Sequence, residues 1–206
     1  MYNISMLKDI AYEEPAWEIA TLFPPQGRWT IEDYLDLDAR AANHLIEFSK
    51  GNIEVLPMPS LQHQAIAAFL FHLLYTFVTN HKLGIVRFSP TKVQLWQGKI
   101  REPDVFYIAN DNIAKRTEQW FEKIDLAMEI VSPDDPSRDL ETKRREYAQA
   151  GIPEYWIIDP RTEEILVLAL DRNHYSVHGV FANGERATSV LLPTFTVPVT
   201  DLFSQQ

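Results

Sequence analysis

Two carboxylates sit where carboxylates are costly. Glu129 lies in Leu126-Ala127-Met128-Glu129-Ile130-Val131, a run whose other members are all apolar. A charge in such a strand costs roughly several kcal/mol unless it is paired or bound to a metal. Asp104 opens a similar run, Asp104-Val105-Phe106-Tyr107-Ile108, directly after Pro103. On neighbouring strands and facing the same side, the two would stand about 5 Å apart and resist joint ionisation. A shared proton or a divalent cation resolves that conflict. The blander alternatives are an ion pair from Glu129 to an inward Arg87 or Arg101, and an Asp104 that merely follows a Pro-Asp turn. Lys143 follows Asp139 by four residues, the order of a surface helix pair worth about 0.3–0.5 kcal/mol. Tyr147 comes four residues later, so Asp139, Lys143 and Tyr147 form a line that can point at the strand ends. A lysine there is placed to hold a phosphate or to orient a water beside a metal.

The elements that must position these groups are punctuated by 13 prolines and 7 glycines. Residues before Gly27 are loosely patterned and read as an arm. Thr30, with Asp33 three residues on, is expected to cap a short helix. Residues 45–48 and 53–56 flank Ser49-Lys50-Gly51-Asn52 as a hairpin. Ser60 then caps a helix predicted over 61–83, stopped by Gly84, whose apolar residues cover most of its circumference. That pattern predicts packing on several sides and places His72 in the core. Strands are predicted over 85–88, 92–96, 104–108 and 126–131, a helix over 139–150, a strand over 155–158, and a second hairpin from 165–170 and 175–181. Helices and strands in this order predict a mixed sheet in an α+β or α/β fold, in a single domain over 1–206.

Composition narrows the functional classes. With 46% hydrophobic and 23% charged residues in 206, the chain matches folded globular proteins rather than disordered or fibrous ones. The apolar stretch 65–78 is broken by His72 and is shorter than the ~20 residues of a membrane span. The first twenty residues carry no uninterrupted apolar segment, so a cytoplasmic location is expected. Having no cysteine excludes thiol nucleophiles and disulfides, and leaves oxygen and imidazole as the available metal ligands. The formal charge of −10 argues against strong indiscriminate duplex binding, although Arg138, Lys143, Arg144 and Arg145 cluster. Trp17, Trp29, Trp96, Trp120 and Trp156 are core filling or an oligomer interface, which leaves a homodimer open.

Glu102-Pro103-Asp104, Met128-Glu129-Ile130-Val131-Ser132-Pro133, Asp139 with Lys143 and Tyr147, and Gly151-Ile152-Pro153-Glu154-Tyr155-Trp156-Ile157-Ile158-Asp159-Pro160 together resemble the Uma-type endonuclease family. That family belongs to the PD-(D/E)XK, restriction-endonuclease-like superfamily, and the similarity spans residues 29–160. The resemblance implies an αβββαβ core flanked by hairpins, with residues 161–206 as a β extension. It implies that Asp104 and Glu129, with the carbonyl of Val131, hold Mg²⁺ or Mn²⁺ for hydrolysis of nucleic acid, DNA before RNA. Val131 stands where the motif lysine is expected, so Lys143 is the migrated substitute. Arg138, Arg144, Tyr147 and Ser132 are the expected substrate contacts. Glu47 and His63 are candidates for the acidic residue that many members carry on the first core helix. A nuclease fold kept as a binding or regulatory protein, without catalysis, is the alternative.

Overall fold

The computed structural model describes residues 23–40 and 45–205. Most of the expected N-terminal arm, with Trp17, lies outside them. Helix α1 (Ile31–Arg40) starts as expected, its first turn closed by Asp33 N–H on Thr30 Oγ1 at 3.1 Å and Thr30 N–H on Asp33 Oδ2 at 3.0 Å. Strands β1 (Leu45–Ser49) and β2 (Asn52–Leu56) form the first hairpin, and Ser60 caps α2 (Leu61–Asn80). Then come β3 (Gly84–Phe88), β4 (Lys92–Trp96), β5 (Lys99–Arg101), β6 (Val105–Ala109), β7 (Trp120–Phe121) and β8 (Leu126–Ile130). A π-helical turn (Arg138–Lys143) leads into α3 (Arg144–Gln149) and β9 (Glu154–Asp159). The described chain finishes with β10 (Glu164–Asp171), β11 (His174–Phe181), β12 (Arg186–Thr188), β13 (Thr196–Pro198) and α4 (Val199–Phe203).

The central sheet has six strands in the order β11-β10-β9-β8-β6-β3, antiparallel throughout except for the parallel pair β8–β9. Period-two alternation sends successive residues to opposite faces. Val105, Tyr107, Met128 and Trp156 pack against the Ile66, Leu70, Leu74 and Val78 stripe of α2. Phe106, Ile108, Ala127 and Tyr155 pack against Tyr147 and Ala148 of α3. Covered on both faces, β8 is apolar throughout apart from Glu129.

Three expectations are corrected. Helix α2 buries one i, i+4 stripe rather than most of its circumference, and His72 lies on its exposed side. By length and composition α2 could cross a membrane, yet that stripe is seated on the sheet. The helix also ends at Asn80 rather than at Gly84, which opens β3 instead. There β3 runs so close to β6 that a Cβ on Gly84 would collide with the Ile108 carbonyl. The helix predicted over 139–150 begins as the π turn, which brings both Asp139 and Lys143 inward.

A second sheet, β2-β1-β5-β4-β7, supports the first; β1 and β2 precede β3 in the chain, β4 and β5 lie between β3 and β6, and β7 follows β6. Its register sets Glu54 opposite Glu47, and Glu47 is across from Arg101 one step beyond the Phe48–Ile100 pair. Two like charges side by side are tolerated because Arg101 bonds both, Nη1 reaching Glu54 at 2.6 Å and Glu47 more closely still. Arg138 of the π turn clasps the same two carboxylates, while Glu146 of α3 takes Arg101 Nε at 2.8 Å and Lys99 at 2.7 Å. Burial opposes ionisation of Glu47, but Arg101, Lys143 and Arg138 outweigh it and lower its pKa from 4.5 to about 2. A depressed carboxylate stabilises the fold above its unfolded pKa and loses that contribution as pH falls through the folded one. Urea denaturation between about pH 5 and about pH 2 should therefore show a loss of about 3 kcal/mol from this group, largely missing from the flatter profile of Glu47→Gln.

Candidate active site

One step beyond the Val105–Met128 pair, Asp104 stands across from Glu129, so the two carboxylates leave the sheet on the same side. Asp104 is held by its Oδ2, which accepts the Ile130 N–H at 2.8 Å and faces His63 Nε2 at 3.2 Å. His63 comes from the first turn of α2, where Ser60 Oγ accepts its backbone N–H at 3.1 Å. Glu129 is buried. Its Oε1 accepts the Tyr147 hydroxyl proton and its Oε2 lies 2.9 Å from Lys143 Nζ. The same ammonium is 2.9 Å from Asp139 Oδ1. Tyr155 O–H donates to the Asp139 carbonyl at 3.0 Å, pinning the turn to β9. Asp104, His63, Ser132, Arg138, Asp139 and Lys143 are in the lining of a cleft of about 470 Å³ between α2 and the π turn.

Glu129 does not pair with either arginine considered for it. Arg87 donates to the Val86 carbonyl at 2.8 Å, and Arg101 serves Glu47, Glu54 and Glu146. The Asp139–Lys143 pair exists but is buried, not a surface pair. Glu47 lies outside the cleft lining, with Oε2 clasped by Arg101 and Arg138 and Oε1 accepting the Glu102 N–H at 3.0 Å. Arg138 reaches the cleft wall while bound to Glu47 and Glu54. Arg144 is turned away from the cleft, donating to the Tyr175 carbonyl at 3.5 Å. Tyr147 is buried behind Glu129, and Val131 is buried with its N–H on the Ile158 carbonyl at 2.9 Å. The sequence offers Asp139 as a surface partner of Lys143 or as one of a line with Lys143 and Tyr147 pointing at the strand ends, but not as a site residue, and the structure places it in the cleft lining. The four-residue spacing of Asp139, Lys143 and Tyr147 was its signal, equally consistent with solvent exposure.

Around Lys143 the negative charge is in surplus. Burial pushes Glu129 up to about 8, the attraction of Lys143 being offset by the charges of Asp104 and Asp139. Asp104 is also desolvated, but the His63 contact and the Ile130 N–H hold its pKa below the usual carboxylate value. The facing pair therefore resists joint ionisation, with Glu129 the member raised and Asp104 the member lowered. His63 is raised by Asp104 against the effect of its own burial, and Lys143 is raised by Glu129 and Asp139 against its own. Among the described residues no three of His, Asp or Glu are gathered closely enough to chelate an ion as they stand. The donors nevertheless suit a hard divalent cation: carboxylate oxygens on two facing strands, in a cluster where Asp104, Glu129 and Asp139 outnumber the Lys143 ammonium.

Residues 31–200 match the family model described as Uma2, putative restriction endonuclease. Among solved structures, the fold is similar to the crystal structure of a putative nuclease belonging to DUF820 from Anabaena variabilis ATCC 29413, with a TM-score of 0.68 and 19% sequence identity over 88% of this chain and 98% of that one. None of the curated proteins matches. The mixed sheet with α2 before it and α3 between β8 and β9 is a restriction-endonuclease-like fold. Nuclease families of this kind act on nucleic acid and generally use divalent metal ions. With its match extending from α1 into α4, the chain belongs to the Uma2 family of restriction-endonuclease-like proteins.

Proposed function

We propose that the chain hydrolyses phosphodiester bonds in DNA, with Asp104 and Glu129 holding Mg²⁺ or Mn²⁺ and Lys143 acting beside them. The observation that carries this reading is the meeting of Asp104, Glu129 and Lys143 at one end of one sheet, beside a cleft. Asp104, Glu129 and the Val131 carbonyl would hold the ion. Bound there, a divalent cation supplies a water of lowered pKa and neutralises charge on the phosphoryl oxygens. Lys143 orients the attacking water or meets the negative charge that develops on the phosphate. Tyr147 fixes Glu129 from behind, and Ser132 and Arg138 position the phosphate in the cleft. Arg144, outside the cleft, meets a neighbouring phosphate. The edge strand β11 exposes Val177 and Val180, a surface on which a homodimer can form. One observation favours the non-catalytic reading: Val131 occupies the place of the motif lysine, so activity depends on Lys143 replacing it.

Nicking of supercoiled plasmid in Mg²⁺ or Mn²⁺ should fall by about 10²–10³-fold in Lys143→Met and at least as far in Asp104→Asn and Glu129→Gln. Circular dichroism would verify that each variant is folded. Mn²⁺ binding by the unaltered chain without cleavage of any nucleic acid would establish the non-catalytic reading instead. Because Glu129 must ionise to hold a cation, and burial keeps it protonated up to about 8, Mn²⁺ affinity should rise with pH. The slope should be about tenfold per unit below that value, flattening above it, with about one proton released per ion near neutral pH. Calorimetry in buffers of different ionisation enthalpy measures both, and a pH-independent affinity would remove Glu129 from the ligand set.

A further inference from the structure

The cleft lining is of two chemical kinds. Besides Asp104, Asp139 and Lys143, it has an apolar wall that includes Leu56, Met58, Ala67, Phe71 and Phe88. Phe88 pairs with Val105 across β3 and β6, one residue from Asp104, and the Ser89 N–H bonds the Asp104 carbonyl at 3.2 Å. The apolar wall thus begins beside the catalytic aspartate. It continues outward as an aromatic surface. Phe71 meets Phe88 edge-on at 4.8 Å and stacks with Tyr75 at 5.5 Å. Phe88 is 51% exposed, Tyr75 48% and Met58 68%.

A paired duplex has little to offer this wall. Its bases are stacked inside and it presents phosphates, while both cations lining the cleft are already neutralised: Lys143 by Glu129 and Asp139, Arg138 by Glu47 and Glu54. The chain as a whole carries a net −10, so few phosphate counterions are released on binding. A nucleotide whose base is unpaired offers a π-face, and stacking on aromatic side chains is the main source of affinity for single strands. We infer that the site selects single-stranded or locally unpaired nucleic acid, with the base next to the scissile phosphate seated on Phe88, Phe71 and Met58. This rests on the reading of the Asp104–Glu129 end as the phosphodiester-cleaving site.

Fluorescence anisotropy on the full chain, with Ca²⁺ replacing the catalytic ion, tests it using one labelled strand made as DNA and as RNA, and the matching relaxed duplex. At least one single strand should bind about tenfold or more tighter than the duplex, with a shallow salt dependence, and the DNA and RNA arms identify the sugar. Phe88→Ala should weaken single-strand binding by roughly tenfold and leave duplex binding unchanged, while Phe88→Trp restores it. Duplex binding equal to or tighter than both strands, or a Phe88→Ala chain that binds single strands normally, overturns the inference. So does a dimer in sedimentation that dissociates on Phe88→Ala, since the wall is then covered by a second copy. Relaxed duplex cut in Mg²⁺ while single strands stay intact defeats this inference alone. Single strands held through Phe88 but never cut uphold the seat and defeat the nuclease reading.

Discussion

One ammonium holds the site together. Lys143 is buried, and it is there because two carboxylates, Glu129 on β8 and Asp139 one turn back on its own helix, each lie 2.9 Å away. Removing either partner leaves charge uncompensated in a place where compensation is compulsory. The neighbouring elements serve this arrangement. Tyr147 occupies the second oxygen of Glu129, Tyr155 bonds the backbone of Asp139, and Asp104 is fixed by the Ile130 amide next to Glu129. The result is a preorganised cluster whose charges cannot relax without unfolding the turn. Rigid charge at a cleft wall is what a site that stabilises a charged transition state requires.

The second sheet bears on the same point from outside. The Glu54, Glu47 and Arg101 row ties β2, β1 and β5 together, and Arg138 and Glu146 extend it to the π turn and α3. Strands β1, β2 and β5 are therefore a brace for the elements that carry Asp139 and Lys143. Of the basic residues that cluster in the sequence, Arg138 is taken up in this row and Lys143 by Glu129 and Asp139. An acidic protein with its basic residues engaged internally must recognise a polyanion by something other than bulk attraction.

Much of this was legible in the sequence, for physical reasons that can be named. A glutamate inside an all-apolar strand has to be explained, and β8 carries one; Pro-Asp opening the adjacent run fixed the second carboxylate. Helix α2 announced itself by Ser60 and by its apolar content. Its content, though, overstated its burial, since apolar residues flanking a buried stripe need not be covered, and His72 was misplaced for that reason. The π turn was not legible, because periodicity reports the residues that face inward and not the bonding pattern that turns them. Nor was the Glu47–Arg101 row: cross-strand neighbours separated by more than fifty positions leave no local trace, and short strands such as β5 and β7 are below what alternation can detect.

A π turn accommodates one more residue than the α turn it replaces. In Arg138–Lys143 that extra residue sets the phase of all that follows, so Tyr147 and Ala148 face the sheet and Arg145 faces water. The separation between strand glutamate and helix lysine is thus a matter of helical phase as well as count. Relatives that shorten or lengthen this turn by a single position would carry their lysine at a different offset yet deliver it to the same point in space. Aligning such chains by fixed spacing would read a displaced lysine as a missing one.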